Sequence, residues 1–484
     1  MLKSIAMLML LLASAQAPAD EPAATAASPS KVRQLSLADK PWTGDLDRMV
    51  QRRMIRIVVP YSRTLYFSDN GRERGLTADA AREFEQYLNL KFKPGKRPIT
   101  VYLIPTTRDQ LLQRVADGRA DIAAGNLTVT PERSQIVDFA VQRGHVVNEV
   151  LVTGAKSPDV ASLEALGGMT VHVRQSSSYF DSLNALNERN RKEGKAEIKL
   201  HLVPEALEDE DMMEMANAGL IDTMVVDDWK AKVWAQVLPK IAVRDKVMVR
   251  EGGHAGWAIR KDSPKLQAAI EDFYVNFAKR RATFDTRALQ AMRRVKQIKD
   301  PTQSADWKRF QEMQAIFQRY GARYNFDPLM LAAQGYQESQ LDQSARSHVG
   351  AIGVMQLMPD TGADMKVGDI HIVEANIHAG TKYMDMLMTK YFPDANFSEG
   401  NRPLFAFASY NAGPGNIARM RREAAKRQLD PDKWFNNVEV VVADKIGIET
   451  TTYVRNIYKY YVAYKMTMEM EETRRKARES LTSR

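Results

Sequence analysis

Asp327-Pro328-Leu329-Met330-Leu331-Ala332-Ala333-Gln334-Gly335-Tyr336-Gln337-Glu338-Ser339 decides how the second half of this 484-residue chain is read. Asp327 is a good helix cap and Pro328 suits the first helical position, so the stretch predicts a short helix. Leu329, Met330, Ala333, Tyr336 and Gln337 fall at helical spacing and give a mostly apolar face. Glu338 stands at the far end of that face. A carboxyl placed where apolar packing ends is partly stripped of water, which disfavours its ionised form and raises its pKa. An acid still protonated near neutral pH can lend its proton to a glycosidic oxygen. A lone Glu near a helix end is more often a solvated surface residue, so its neighbours carry the argument.

Ser339 follows directly. Gly353-Val354-Met355-Gln356, Ser409-Tyr410-Asn411-Ala412-Gly413 and Glu449-Thr450-Thr451-Thr452-Tyr453-Val454 come next, in that order. This ordered set resembles the catalytic domain of soluble-type lytic transglycosylases, which have a goose-lysozyme-like, mainly α fold. The resemblance implies one catalytic acid, Glu338, with Ser339, Met355, Gln356, Tyr410, Asn411, Glu449 and Tyr453 holding substrate. Glu449 has two readings: support for the cleft, or a helix-capping or ion-paired role beside Arg455. The implied reaction cleaves the β-1,4 bond between N-acetylmuramic acid and N-acetylglucosamine without water and leaves 1,6-anhydro ends. Ordinary glycosidases use two carboxylates instead.

Hydrophobic content of 44% and charged content of 27% fit a globular chain with material for about three domains. The net charge of +9 suits an anionic partner such as a membrane surface or cell-wall polymer. Nothing in the arrangement of basic and aromatic residues argues for nucleic acid. The chain has no cysteine, which removes disulfides, thiolate metal sites, thiol nucleophiles and a lipid-anchor cysteine. Its seven His form no His-Glu-x-x-His pattern, and His371 and His378 read as surface residues. No cofactor and no catalytic metal are expected.

Residues 1–19 read as a secretory signal peptide. Lys3 supplies the positive start, Ile5 to Ala13 a short apolar run, and Ala17-Pro18-Ala19 the preferred cleavage site. An uncleaved membrane anchor is the alternative. Residues 20–44, rich in Ala, Pro and Ser, are expected to be a disordered linker.

Residues 45–285 alternate strand and helix signals. Ile55–Val59, Ile99–Ile104 and Thr170–Val173 read as strands, and Leu76–Leu88 and Arg108–Asp117 as helices. Such alternation predicts α/β architecture with largely parallel sheets. Ser176-Ser177-Ser178 can cap the following helix. Asp117-Gly118-Arg119-Ala120-Asp121-Ile122, then Gly125-Asn126-Leu127-Thr128-Val129-Thr130-Pro131-Glu132-Arg133 and Val137-Asp138-Phe139, resemble the amino-acid-type periplasmic solute-binding proteins. Gly219–Thr223 with Asp227, and Trp257–Arg260, match later segments. The resemblance implies a two-lobed fold, with the second lobe at about 146–243. In it Arg133 grips a ligand carboxylate and Asp227 meets an ammonium, with Asn126, Thr128, Ser177 and Ser178 nearby. An ion pair of Arg133 with Glu132 or Asp138 is the bland alternative. Ser176 stands where Gly is common, and Val141-Gln142 replaces Pro-Tyr, so the ligand is left open among amino acid, peptide and muropeptide.

Residues 286–304 read as a basic connection, 305–468 as the mainly α lysozyme-like (goose-type) domain, and 469–484 as a charged tail. Gly413-Pro414-Gly415-Asn416-Ile417-Ala418 fits a dinucleotide fingerprint, but no strand precedes it, so it reads as a turn between helices. The expected protein is thus an exported, periplasmic wall enzyme with a sensor domain, peripheral at the outer membrane. Its alternatives are a solute- or glycan-binding receptor without catalysis and a lysozyme-type hydrolase.

Overall fold

A computed structural model describes residues 40–142, 146–277 and 298–482. The expected signal peptide, the linker up to residue 39 and most of the basic connection lie outside the described residues.

Strands appear in chain order as β1 (Met54–Pro60), β2 (Phe67–Asp69), β3 (Arg72–Arg74), β4 (Thr100–Thr106), β5 (Ile122–Thr128), β6 (Asp138–Val141), β7 (Val147–Thr153), β8 (Thr170–Val173), β9 (Lys199–Leu202), β10 (Thr223–Asp227), β11 (Ala242–Gly253) and β12 (Ala255–Ile259). The first lobe is a sheet of order β4-β1-β5-β12-β6 and the second a sheet of order β11-β7-β10-β8-β9. The chain crosses between them twice, from β6 to β7 and from β11 to β12. Both sheets are mixed, which corrects the expectation of largely parallel ones. β1 runs parallel to β4 and β5, whereas β12 is antiparallel to β5 and β6. In the second sheet β7 is antiparallel to both its neighbours. The antiparallel strands flank the two crossings, and periodicity alone does not encode strand direction.

Strand β1 reads as a continuous buried run because it lies mid-sheet with both faces covered. Phe84 packs edge to face against Trp257 and Phe273 in the core beneath it. The second lobe's last strand runs on to Gly253 rather than stopping at 243. The expected linker also ends early. The Trp42 amide donates to the Gly118 carbonyl at 2.8 Å, and the Arg52 guanidinium lies 3.4 Å from the Trp42 ring centroid.

The second half is helical: Ser304–Tyr324, Pro328–Ser339, Val373–Tyr391, Asn401–Ala412, Pro414–Lys426, Glu439–Lys445 and Ile448–Thr482 are its principal helices. The expected charged tail continues the last of these, the long helix, to Thr482. Gly413, at φ +84°, turns the chain between two helices, as a turn there requires. One buried apolar cluster runs from the second lobe into the helical domain, and Ile298 belongs to it.

Candidate active site

Asp327 caps the Glu338 helix by accepting from the Leu329 amide at 2.8 Å, and Pro328 opens it. Met330, Leu331, Ala333 and Tyr336 are buried, so the helix is held on its apolar face. Its far end packs closely against the loop Gly353–Gln356. A Cβ on Gly335 would come within 2.9 Å of Val354 Cγ1. Gly353 has φ +76°, and a Cβ there would meet Asn376 Nδ2 and Gln343 Nε2 at 2.6 Å, so side chain and backbone both demand glycine. Those two amides hold the loop: Met355 N donates to Asn376 Oδ1 at 2.8 Å, and Val354 N to Gln343 Oε1 at 3.2 Å.

Glu338 is half-buried as a residue, but its carboxyl is walled in, and loss of water raises its pKa from 4.5 to about 7. The one group opposing this is the Tyr453 hydroxyl of the long helix, which donates to Glu338 Oε1. Burial, then the Glu338 charge and hydrogen bond, lift the Tyr453 phenol well above its ordinary value, so Tyr453 is a donor and not an acid here. Tyr410 lies close enough for the Glu338 charge to act on it. Its hydroxyl donates to the Met355 carbonyl at 2.7 Å and its ring meets Tyr383 edge to face. Asn411 Oδ1 accepts from the Thr450 hydroxyl at 2.8 Å. The four motifs thus meet around one carboxyl.

Three expected substrate contacts look different in detail. The Ser339 hydroxyl is engaged by backbone, with the Val354 carbonyl at 3.0 Å and the Asp342 amide at 3.1 Å, so it ties helix to loop. The Met355 side chain is fully buried against Gly380, and what it offers the site is its carbonyl. Glu449 is exposed in the first turn of the long helix, and Arg455 pairs with Glu439 instead, at 2.5 and 3.0 Å. Gln356 is half-buried with its amide on the Gly353 carbonyl at 2.9 Å.

Sequence reasoning missed Gln334. It sits one turn before Glu338 on the same helix, fully buried, and neither amide atom has a hydrogen-bond partner. It lies beside the Tyr453 hydroxyl and acts to lower that phenol's pKa, against the larger effect of burial. A buried Gln in the face turned to the acid was a signal available from its spacing.

In the first half, five of the six expected ligand residues meet across the lobes. The Asn126 amide donates to the Asp227 carboxylate, the Ser178 hydroxyl to Thr128 Oγ1 at 3.2 Å, and Arg133 to the Thr128 and Ser176 carbonyls at 3.1 and 3.2 Å. Arg133 pairs with neither Glu132 nor Asp138, and Asp138 pairs with Lys261. Ser177 caps its helix, accepting from the Phe180 amide and donating to the Arg174 carbonyl. Burial raises Asp227 to about 6, and its Oδ1 is buried without a partner.

The second feature that sequence reasoning missed is the helix Asp209–Ala218. Glu208, Asp209, Glu210, Asp211 and Glu214 are all buried. Arg108 grips Glu208, and Arg174 and Lys230 pair with Asp209. Arg63 of the first lobe reaches Asp211 and Glu214 at 3.1 and 2.8 Å. From the long helix, Arg455 reaches Asp211 at 3.1 Å and Lys459 reaches Asp211 and Glu214 at 2.9 and 2.6 Å. Among the described residues no cluster of His, Cys, Asp or Glu could hold a metal, and no helix is long and apolar enough to cross a membrane.

Residues 315–432 match the family described as Transglycosylase SLT domain, and residues 55–283 match Bacterial extracellular solute-binding proteins, family 3. The two matches lie in one chain, the solute-binding one first and the transglycosylase one second. It is similar to proteins named membrane-bound lytic murein transglycosylase F. That of Desulfosudis oleivorans is 29% identical over 73% of this chain and 79% of its own. Those of Shewanella frigidimarina and Erwinia tasmaniensis are 25% and 26% identical, over 85% and 87% of this chain and 85% and 86% of their own. Tyr453 lies beyond the matched transglycosylase residues, so its place in the site rests on geometry.

Proposed function

We propose that this chain is an exported peptidoglycan lytic transglycosylase in which Glu338 serves first as acid and then as base. Protonated Glu338 gives its proton to the oxygen joining N-acetylmuramic acid to N-acetylglucosamine. The bond breaks through an oxocarbenium-like state. The carboxylate then takes the proton of the muramic acid 6-hydroxyl as that oxygen attacks C1, closing the 1,6-anhydro ring and regenerating the acid. The internal nucleophile arrives already positioned, which lowers the entropic part of the barrier. Tyr453 occupies Glu338 Oε1, leaving Oε2 to carry the proton to the sugar. Tyr410, Asn411 and Gln356 are proposed to face the sugar rings, and the enzyme to work in the periplasm at the outer membrane.

The observation that carries this reading is a buried carboxyl raised to about 7 with no cation acting on it. Mass spectrometry of digested sacculi tests it. Products lighter by one water than reducing ends are expected, and reducing ends would instead mark a lysozyme-type hydrolase.

We also propose that ligand in the first half, an amino acid, peptide or muropeptide held by Arg133 and Asp227, alters cleavage. Support comes from the long helix, which carries Tyr453 to Glu338 and, two and six residues on, Arg455 and Lys459 to the buried acids of the second lobe. Equal turnover with and without a muropeptide shown to bind would sink this.

A further inference from the structure

The end of the helix Leu76–Phe92 and the turn into β4 read Leu88-Asn89-Leu90-Lys91-Phe92-Lys93-Pro94-Gly95-Lys96-Arg97-Pro98. No acidic residue occurs between Glu85 and Asp109. Tyr87 and Leu88 face the core, yet Leu90 is 60% and Phe92 38% exposed. The fold does not need them there. Asn89 closes the turn by itself, donating to the Glu85 and Ile99 carbonyls at 2.9 Å and accepting from the Ile99 amide at 2.8 Å. Lys93 at φ +45° and Gly95 at φ +77° end the helix and leave a projecting tip, with nothing within 4 Å of a Cβ on Gly95. Lys91 reaches Asp272 at 2.7 Å, which brings up the end of the helix Pro264–Asn276 and its 42% exposed Val275. Lys93, Lys96 and Arg97 are exposed and have no carboxylate partner among the described residues.

Exposed apolar side chains ringed by cations suit one surface in particular: an anionic bilayer, where the apolar side chains enter the acyl boundary and the cations meet headgroup phosphates. We propose that Leu90 and Phe92, with Lys93, Lys96 and Arg97, form a docking tip for an anionic phospholipid surface. This rests on the reading of the chain as an exported envelope protein and names the face that would touch the membrane. The tip lies on the first lobe, whereas Glu338 lies in the helical domain.

Co-sedimentation of the full chain with vesicles of phosphatidylethanolamine and phosphatidylglycerol tests it, against phosphatidylcholine vesicles and isolated sacculi. The unsubstituted chain should bind the anionic vesicles, and salt should release it. Lys93→Glu with Lys96→Glu and Arg97→Glu should lower partitioning at least tenfold, since each cation contributes roughly fivefold. Leu90→Ser with Phe92→Ser should lower it as well, and both variants should keep the melting temperature and the release of anhydro product from soluble glycan. Unchanged vesicle binding by both variants overturns the assignment of the tip. No vesicle binding by the unsubstituted chain overturns membrane docking altogether, and loss of sacculus binding alone would make the partner a wall polymer. Anhydro release is read separately, so failure here is distinguishable from failure of the enzyme reading.

Discussion

Two sets of buried carboxyls lie on either side of the first turns of the long helix, and they behave oppositely. Glu338 meets a hydroxyl, Tyr453, and burial lifts it to about 7. Burial pushes Asp211 up just as it does Glu338, but Lys459, Arg455 and Arg63 overcome it and hold Asp211 below the usual carboxylate range. Asp209 is likewise held low, against its burial, by Lys230, Arg174 and Arg108. Burial is common to both sets; cations outweigh it at Asp209 and Asp211, and no cation acts on Glu338. A carboxyl meant to donate must be dry and uncharged by its neighbours; one meant to hold two bodies together must be dry and paired.

The largest way to break this contrast is Glu338→Gln. Anhydro-product release from sacculi should fall by about 10²–10⁴-fold while wall binding persists. Persistent digestion would remove Glu338 from the mechanism. The same variant should gain stability. Because the folded pKa of Glu338 is raised, ionising it costs the fold, and that loss grows as pH rises from 4.5 to about 7. Above pH 7 Glu338→Gln should therefore be more stable than the unsubstituted chain, by up to about 3 kcal/mol and less where water reaches the side chain.

Arg455→Met attacks the other set. It leaves Asp211 short of a cation and Glu439 buried without its partner, and should cost about 3–5 kcal/mol in chemical denaturation. Here the pH dependence runs the other way: the depressed pKa of Asp211 stabilises the fold above the ordinary aspartate range, and this stability is lost as pH falls through that range. Tyr453→Phe should lower turnover about 10–100-fold, because one hydrogen bond to the reacting group is lost. It should also move the alkaline limb of the rate profile upward, since Tyr453 holds Glu338 down. The smallest effect is expected from Gln334→Met. Removing two unpartnered buried polar atoms should leave stability unchanged or raise it, with turnover changed less than about tenfold.

What could be read from the sequence was local. Asp327-Pro328 and Ser177 cap helices with side chains that contact the backbone within three residues, so spacing sufficed. The raised Glu338 followed from its place at the end of an apolar face. The Glu208–Glu214 run was illegible because a dense acidic stretch ordinarily faces water. Its cations come from Arg63, Arg108, Arg174, Lys230, Arg455 and Lys459, spread across almost the whole chain. The direction of β7 and β12 was hidden for the same reason: it is set by where the chain crosses between lobes. Arg455 was read with the nearby Glu449, whereas the turn of the long helix carries it to Glu439 and Asp211.

The pH dependence of turnover at saturating glycan tests the central claim most directly. If Glu338 reacts in its protonated form, anhydro-product release should hold steady up to neutrality and fall tenfold per unit above about pH 7. A descending limb at the ordinary glutamate value of 4.5 would contradict it, because the proton would already be gone where the enzyme is meant to work.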